Sequence, residues 1–368
     1  MFYFLYQIFA DSGISGSNLF RYITFRSAMA AVTALVISLF VGPFIIRKLR
    51  EMQIGEEIRL DGPQSHLSKA GTPTMGGLII LASTLIPTML WADLSNTYVL
   101  LVLLATAWMG VVGFIDDYLK AIKKMKKGLV ARYKTAGQIS LGLIVGLVMI
   151  MTPEFERFAT VTTIPFVKDL NFDFGYFYIP MVIFVITATS NATNLTDGLD
   201  GLSIGVVSIA MTAFAVMCYV TGNVNFSDYL NILYIPQASE LTIFCTAMVG
   251  AGLGFLWYNA YPAQVFMGDT GALAIGSALG TLAVLIKKEL LLPIIGAVLV
   301  AENISVIAQV MYFKYTKKKY GEGRRIFLMA PLHHHFELKG WHETKVVTRF
   351  WIMAILCALL TLTTFKVR

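Results

Sequence analysis

The chain has 368 residues, of which 57% are hydrophobic and 14% are charged, whereas soluble domains average about 45–50% apolar and about 25% charged residues. This composition excludes a soluble enzyme, a secreted disulfide scaffold and a disordered chain, and the three cysteines all lie inside apolar segments. The formal net charge of +7 is interpreted from where the charges lie, because in a membrane protein their placement matters more than their sum.

Ten apolar segments predict about ten transmembrane helices, since a helix that spans a bilayer needs about 20 mostly apolar residues. Their approximate bounds are 23–46, 75–92, 97–115, 135–152, 177–192, 201–220, 240–258, 270–286, 290–313 and 346–365. Residues 163–176 alternate around a polar turn and predict a small extracytoplasmic β-hairpin. The expected fold is a single all-α, polytopic membrane domain over residues 1–368, because no internal repeat or low-complexity linker divides the chain.

Lysine and arginine residues predict how the helices are oriented in the membrane. The connections after the odd-numbered segments carry 20 of the 29 Lys and Arg residues, whereas the opposite side, together with both tails, carries 7. Because positive charge is enriched on the cytoplasmic side, both termini are expected to be extracytoplasmic and the odd-numbered connections cytoplasmic.

Two adjacent carboxylates end the third segment. The motif GFIDDYLK holds Asp116 and Asp117, with Lys120 one helical turn later. Acidic side chains at a helix C-terminus repel each other and meet an unfavourable dipole, so the pair indicates a shared cation or proton. A solvated acidic helix end, screened by the basic residues that follow, is the alternative.

The connection after the fifth segment, TSNATNLTDGLDGLS, is rich in amide and carboxylate side chains. They are Asn191, Asn194, Asp197 and Asp200. Such groups along one side of a turn suit hydrogen bonding to a sugar or a base, or coordination of a hard cation through oxygen. Helix capping explains one or two of them but not all four.

The connection after the seventh segment adds Asn259, Phe266 and Asp269. Asp269 comes at the predicted start of the eighth segment, where a helix N-terminus stabilises anions; a simple capping role is the alternative. Phe266 is interpreted either as a residue that stacks on a base or as an anchor at the membrane interface.

The connection after the ninth segment contains three consecutive histidines, His333, His334 and His335. They cannot all point one way, so they are expected to bind or orient phosphates and not to ligate one metal together. Glu302 lies in the middle of the ninth segment, where an ionisable group costs about 2.5–3.5 kcal/mol. It is expected to face the bundle interior, in a packing or gating role.

All of these motifs follow odd-numbered segments, so they are expected to converge on one side of the membrane. The residues include carboxylates for a hard cation, amides and Phe266 for a nucleoside, and Lys69, Lys120 and Lys134 for phosphates. This inventory is typical of phosphoryl transfer. The chain has no Walker-type GxxxxGK[ST] motif, so an ATP-driven motor is not indicated.

Five motifs resemble the phospho-N-acetylmuramoyl-pentapeptide transferase family, within the polyprenyl-phosphate N-acetylhexosamine-1-phosphate transferase superfamily. They are KAGTPTMGG (69–77), GFIDDYLK (113–120), SNATNLTDGLDGL (190–202), NAYPAQVFMGDTG (259–271) and PLHHHFELKGW (331–341). The aspartate motifs are typical of the superfamily, whereas PLHHHFE discriminates this family. The resemblance implies Mg²⁺-dependent transfer of phospho-MurNAc-pentapeptide from UDP-MurNAc-pentapeptide to undecaprenyl phosphate, giving lipid I and UMP. It further implies a homodimer in the bacterial inner membrane, among membrane lipids and without a nucleic-acid partner.

The resemblance also implies a role for each matched residue. Asp269 would be the principal Mg²⁺ ligand, and Asp116, with Asp117 beside it, the base that keeps the lipid phosphate ionised. The expected contacts to the uridine or sugar-nucleotide come from Asn191, Asp197, Asp200, Asn259 and Phe266, and Asn194 of the same motif is also expected to bind substrate. The phosphates would be bound by Lys69, Thr74, Lys120, Lys134, His333, His334 and His335, of which His333 is also a catalytic candidate.

Two other functions compete with this reading. A relative within the superfamily could transfer the phosphate of another UDP-sugar, such as UDP-N-acetylglucosamine. A transporter would place its polar groups near the bilayer midplane between repeats, whereas here they lie at segment ends on one side. For the transferase itself, direct attack of the lipid phosphate on the phosphorus linked to the sugar is favoured over a mechanism through a covalent phospho-aspartate.

Overall fold

The computed structural model describes residues 1–9, 17–52, 69, 71–125, 128–167 and 171–366. These residues form fourteen α-helices and one two-stranded sheet. The helices are α1 (Phe2–Phe9), α2 (Ile23–Glu51), α3 (Gly77–Trp91), α4 (Thr97–Ala121), α5 (Ala131–Met151), α6 (Tyr178–Thr196), α7 (Leu202–Thr221), α8 (Val224–Leu230), α9 (Leu241–Asn259), α10 (Gly268–Leu285), α11 (Leu292–Ile295), α12 (Ala297–Tyr320), α13 (Leu332–Leu338) and α14 (Glu343–Thr363). The strands are β1 (Val161–Thr163) and β2 (Asn171–Asp173), and short 3-10 helices cover Ser17–Arg21, Pro153–Phe158, Gly175–Phe177, Pro236–Glu240 and Glu289–Leu291.

Nine helices in the described part of the chain are long and apolar enough to cross a membrane: α2, α4, α5, α6, α7, α9, α10, α12 and α14. This confirms the prediction of an all-α, polytopic membrane protein. The second predicted segment forms α3, which has only 15 residues and, at about 1.5 Å per residue, is shorter than the hydrocarbon core of about 30 Å. Helix α3 begins at Gly77, and the N–H groups of Gly76 and Gly77, which a helix start leaves without intrahelical partners, bind the carbonyls of Phe266 and Met267, both at 2.8 Å.

A β-hairpin forms between α5 and α6, as predicted, although β1 begins before the predicted segment. The two strands are antiparallel, with Val161 opposite Asp173. Residues 168–170 of the predicted turn lie outside the described part of the chain. The hydroxyl of Thr163 donates to the carbonyl of Lys287 at 2.8 Å, so the hairpin covers the C-terminal end of α10.

Helix α10 is buried along almost its whole length, from residue 270 to residue 285. It packs against α3, α4 and α6. Its first turn approaches α3 and α4 closely, because a Cβ atom added at Gly77 or Gly113 would overlap backbone atoms of residues 269–271. Glycine at these two positions therefore lets the start of α10 contact the start of α3 and the end of α4, and these contacts set the position of Asp269.

The polar motifs meet at the end of the bundle where α4, α6 and α9 end and α7, α10 and α14 begin. We call this the site end. Helix α2 packs along α9, and α7 contacts both α9 and α14, so these helices complete the wall around the motifs. The hairpin lies at the opposite end, beyond the C-terminus of α10.

Candidate active site

Three carboxylates meet at the site end. Asp116 and Asp117 come from the last turns of α4, and Asp269 comes from the first turn of α10. Each offers an oxygen atom, and the three oxygens lie within 4.8 Å of one another. Asp116 and Asp117 are buried and Asp269 is half-buried, so their negative charges repel unless a cation compensates them. An oxygen-only donor set of this kind could hold a hard divalent cation.

Two lysines compensate the charge of this acidic cluster. The ammonium group of Lys134, in α5, lies 2.9 Å from Asp116 Oδ2 and also pairs with Asp269. The ammonium group of Lys120 lies 2.5 Å from Asp116 Oδ2 and 3.4 Å from Asp269 Oδ2. Lys120 shares a helix with Asp116, whereas Lys134 arrives from a different one. The resulting network can hold a cation and the oxygens of a phosphate side by side.

Asp116 and Asp117 have different partners although they are adjacent in sequence. Asp117 Oδ1 accepts the backbone N–H of Asp269 at 3.1 Å, and its Oδ2 accepts the backbone N–H and the hydroxyl of Thr270 at 2.9 and 2.6 Å. Asp116 Oδ1 accepts the backbone N–H of Leu129 at 2.7 Å, while its Oδ2 faces the lysines. Asp117 thus caps the N-terminus of α10 and positions Asp269, whereas Asp116 lies at the centre of the charged network.

A second charged group surrounds Lys69. Its ammonium group lies 2.7 Å from Asp200 Oδ1 and 2.6 Å from Glu343 Oε1, and the same Glu343 oxygen accepts the backbone N–H of Asp200 at 2.7 Å. Burial opposes the charge of Lys69, but the bonds to the two carboxylates outweigh burial and raise the pKa of Lys69. Glu343 is not among the predicted site residues, although an acidic residue in the first turn of α14, directly after the histidine motif, is a signal for it.

Asn259 links the second charged group to the loop that leads into α10. Its Oδ1 accepts the backbone N–H of Gly201 at 3.0 Å, and its Nδ2 donates to the carbonyl of Val265 at 2.9 Å. Asp200 holds the same loop, since its Oδ2 accepts the backbone N–H of Ala263 at 2.9 Å. The loop between α9 and α10 is therefore fixed by two residues of the predicted substrate site.

Thr74 and Phe266 lie beside the acidic cluster. The backbone N–H of Phe266 donates to the carbonyl of Pro73 at 2.8 Å, which joins the segment before α3 to the segment before α10. A Cβ atom added at Gly268 would meet the carboxylate of Asp117 and the hydroxyl of Thr74. The Thr74 hydroxyl is therefore next to the start of α10, where a phosphate oxygen would be stabilised by the helix N-terminus.

Asn191 binds a residue of the neighbouring helix α5. The Nε2 group of Gln138 donates to Asn191 Oδ1 at 3.1 Å, and Asn191 Nδ2 donates to Gln138 Oε1 at 3.2 Å. Gln138 is a second residue that the sequence-based prediction lacks, because it lies within an apolar segment. Asn194 and Asp197 are half-buried at the end of α6, close in sequence to Asp200.

The three consecutive histidines have three different environments. His333 is buried, and its imidazole lies against Gly198, because a Cβ atom added there would overlap the ring. His334 Nδ1 lies 2.8 Å from Glu337 Oε2, and His335 Nδ1 accepts a backbone N–H from the loop before α13 at 3.1 Å. His333 therefore reaches the turn between α6 and α7, whereas the next two histidines bond within their own segment.

The structure thus brings most of the predicted residues into three groups at the site end. The first contains Asp116, Asp117, Lys120, Lys134 and Asp269, with Thr74 and Phe266 beside it. The second contains Lys69, Asp200 and Asn259, and the third contains His333 against the turn that carries Asp197. Asn191 and Asn194 lie on α6, and His334 and His335 lie on α13.

Comparison with known proteins shows the family to which the chain is similar. The family model for glycosyl transferase family 4 matches residues 99–287, and a phospho-N-acetylmuramoyl-pentapeptide-transferase signature matches residues 69–81. Relatives named phospho-N-acetylmuramoyl-pentapeptide-transferase are found in Flavobacterium psychrophilum (48% identical over 100% of both chains), Chloroherpeton thalassium (53% over 96% of each) and Gemmatimonas aurantiaca (52% over 100% of both).

The match to the glycosyl transferase family 4 model covers just over half of this polytopic membrane protein and assigns it to that class. Identities of 48–53% along essentially the whole chain are far above what fold similarity alone requires. The chain belongs to the phospho-N-acetylmuramoyl-pentapeptide transferase family, and the resemblance expected from its five motifs is confirmed.

Proposed function

We propose that the chain transfers phospho-MurNAc-pentapeptide from UDP-MurNAc-pentapeptide to undecaprenyl phosphate, giving lipid I and UMP, the first membrane step of peptidoglycan synthesis. The observation that carries this proposal is the cluster of Asp116, Asp117 and Asp269 with Lys120 and Lys134. Because the cluster lies at the ends of membrane spans, it can meet the phosphate of a lipid whose tail stays in the bilayer. The names of the full-length relatives support this choice of substrates.

Mg²⁺ is the proposed cofactor, held by Asp269 with Asp116 beside it. The donor set contains only carboxylate oxygens, which Mg²⁺ prefers, and both residues already face the two lysines that balance their charge. Bound there, Mg²⁺ supplies neutralisation of charge on the diphosphate. Lys120 and Lys134, which pair with Asp116 and Asp269, are proposed to bind phosphate oxygens.

The lipid phosphate attacks the donor directly in this proposal. One of its oxygens forms a bond to the phosphorus linked to the sugar, the bond from that phosphorus to the UMP oxygen breaks, and UMP leaves. A phosphate monoester has a second pKa of about 6, so positioning contributes more than proton removal near neutral pH. Asp116 is the proposed base that keeps this phosphate ionised, because it faces the two lysines proposed to bind the phosphates, whereas Asp117 bonds the N-terminus of α10.

The remaining residues are proposed to bind the donor. The uridine and sugar would contact Asn191, Asn194, Asp197, Asp200, Asn259 and Phe266. The phosphates would contact Lys69, Thr74, Lys120, Lys134, His333, His334 and His335. The shared network of Lys69, Asp200 and Asn259 supports this assignment, because it offers donors and acceptors together along one loop.

The protein is proposed to lie in the bacterial inner membrane with its site end in the cytoplasm, both termini outside and a homodimer as the assembly. The excess of Lys and Arg on the side of the site, 20 against 7 residues, supports this orientation. A cytoplasmic site also suits a nucleotide-linked donor, which is soluble and charged.

Incubation of the purified protein with UDP-MurNAc-pentapeptide and undecaprenyl phosphate, with and without Mg²⁺, tests the proposal. UMP and lipid I are expected to appear only when both substrates and the metal are present. A parallel reaction with UDP-N-acetylglucosamine tests the alternative donor, and turnover with that donor alone would reassign the substrate. Absence of metal-dependent UMP release with either donor would overturn the enzymatic function. Inversion of configuration at phosphorus is expected, and retention would favour a covalent phospho-aspartate.

A further inference from the structure

Glu302 is a carboxylate in the second turn of a helix that is long and apolar enough to span the membrane. It lies in α12 and is fully buried, with 0% exposed surface. An ionisable group inside a membrane-spanning helix costs up to about 2.5–3.5 kcal/mol and is found where it faces a polar partner or a cavity. The partner of this carboxylate therefore indicates what it does.

Both oxygens of Glu302 face His333. Oε1 accepts the backbone N–H of His333 at 3.1 Å, and Oε2 lies 3.3 Å from Nδ1 of the imidazole. A single carboxylate thus contacts the main chain and the ring of the first histidine in the motif. The contact to the ring is longer than the 2.7–2.9 Å typical of charge-assisted hydrogen bonds, as is common for catalytic groups before substrate binds.

The opposite edge of the imidazole points to the substrate site. His333 Nε2 is the ring atom that a Cβ atom at Gly198 would meet first, and Gly198 belongs to the turn that carries Asp197 and Asp200. Both ring nitrogens are buried, and neither has a hydrogen-bond partner among the described residues; Nδ1 is the nitrogen that lies 3.3 Å from Glu302 Oε2. The ring therefore has Nδ1 beside Glu302 and Nε2 beside the turn that carries Asp197 and Asp200.

We propose that Glu302 is a positioning residue that holds His333 with Nδ1–H directed at Glu302 and Nε2 directed at the diphosphate of the nucleotide-sugar donor; the inference rests on the proposed function. A carboxylate accepts hydrogen bonds but cannot donate them, so it places the proton of the neutral ring on Nδ1. A second proton at Nε2 makes the ring a cation that donates to a phosphate oxygen, and Glu302 compensates that charge. Glu302 itself does not touch the substrate.

The Glu302→Gln variant separates this role from a packing role, because glutamine keeps the size of the side chain. Its amide oxygen can still accept the N–H of His333, so α13 stays in place. Its NH₂ group then faces Nδ1, which has to accept, and the ring stays neutral with its proton on Nε2. The bond to the phosphate loses its charge assistance, which is expected to lower kcat/KM for UDP-MurNAc-pentapeptide by about 10- to 100-fold, with KM for undecaprenyl phosphate unchanged.

Coupling with His333 provides the decisive measurement. His333→Asn is expected to lower kcat/KM by itself, and Glu302→Gln added to it is expected to cause no further loss, since residues that act as a unit are not additive. Glu302→Asp keeps the charge and is expected to retain more activity than Glu302→Gln. Ser305→Ala is the matched control, because Ser305 is buried in the same helix and its hydroxyl donates to the backbone carbonyl of Glu302 at 2.6 Å.

The outcomes distinguish this inference from the proposed function. Additive losses in the double variant, or wild-type kcat/KM in Glu302→Gln, would overturn the positioning role while the transferase function stands. If Glu302→Gln does not fold, Glu302→Asp carries the comparison, and a loss that is additive with His333→Asn again overturns the role. Absence of UMP release by the wild-type protein would instead refute the proposed function.

Discussion

The hydroxyl of Thr270 donates to Asp117 Oδ2 at 2.6 Å, and the backbone N–H of Thr270 reaches the same oxygen at 2.9 Å. This pair joins the end of α4 to the start of α10 inside the acidic cluster. Because a helix N-terminus favours a carboxylate, the interaction fixes Asp269, one residue earlier, next to Asp116. The geometry of the proposed metal site therefore depends on a carboxylate that is occupied by the protein backbone.

Asp117→Asn is expected to lower stability and activity together. The amide offers one oxygen instead of two and places an NH₂ group against the N–H donors of α10, so a helix cap worth about 0.5–2 kcal/mol is lost.

Asp269→Asn is expected to abolish Mg²⁺-dependent UMP release with little change in melting temperature. The substitution removes the repulsion between Asp269 and the other two carboxylates, and it removes the ion pair with Lys134 at the same time. Thermal unfolding in detergent and UMP release check both variants, and an equal loss of stability in the two would contradict the capping role of Asp117.

Lys134→Met is expected to increase the rise in melting temperature that Mg²⁺ causes. Methionine removes an ammonium group that pairs with both Asp116 and Asp269, so the carboxylates attract a divalent cation more strongly. Because a ligand that binds the folded state raises the melting temperature, the rise between metal-free and Mg²⁺-saturated protein should be larger in the variant. Lys123→Met, at an exposed lysine outside the cluster, should match the wild type. If Mg²⁺ raises the melting temperature of Lys134→Met less than that of the wild type, Lys134 does not compete with Mg²⁺ for the two carboxylates.

The fold could be predicted from composition because a bilayer selects apolar segments of span length. The length of helix α3, 15 residues, is a feature that composition does not predict. Its segment is as apolar as the others, but Gly76 and Gly77 bind carbonyls of the loop before α10, and no local pattern of residues encodes that distant contact. The β-hairpin could be predicted from the sequence because alternation around a polar turn is itself a local signal.

The composition of the site was predictable, whereas the roles within it were not. Carboxylates at span ends stand out in an apolar chain, and Asp116 and Asp117 look equivalent in sequence. Their difference arises from the close approach of α10 to Gly113, which gives Asp117 the helix N-terminus and leaves Asp116 to the lysines. Glu343 was not predicted because its position after the histidine motif is the one signal for it, and a single acidic residue in the first turn of a helix is also typical of a simple helix start.

Gly113→Ala is expected to reduce stability and to abolish activity. Its Cβ atom would overlap the backbone carbonyl of Asp269, which cannot move aside as a flexible side chain does, so α4 and α10 separate at the cost of about 1–3 kcal/mol. Gly146→Ala is the matched control, because its Cβ atom would meet Ile179 at 3.3 Å, where a small adjustment suffices. Melting temperature and UMP release are measured for both. Full activity in Gly113→Ala would show that the contact between the helices does not set the site.

A buried lysine at the opposite end of the bundle predicts a pH dependence of stability. Burial lowers the pKa of Lys287 from its ordinary value of 10.5 to about 8, although nearby Glu289 opposes the shift. The ammonium group donates to the carbonyl of Ala159 at 3.0 Å and to the hydroxyl of Tyr178 at 2.5 Å. Between pH 8 and 10.5 the unfolded chain holds this proton more tightly than the folded one, so the contribution of Lys287 to the free energy of unfolding rises with pH, by up to about 3 kcal/mol.

Comparison of the wild type with Lys287→Met isolates this contribution. The variant lacks the titrating group and shares the rest of the chain, so the difference in melting temperature between the two proteins is the relevant quantity. That difference is expected to shift in favour of the wild type as the pH is raised from about 8 to about 10, because the lysine becomes neutral in the folded state first. A difference that stays constant over this range, or that shifts in favour of the variant, would contradict a lowered pKa at Lys287.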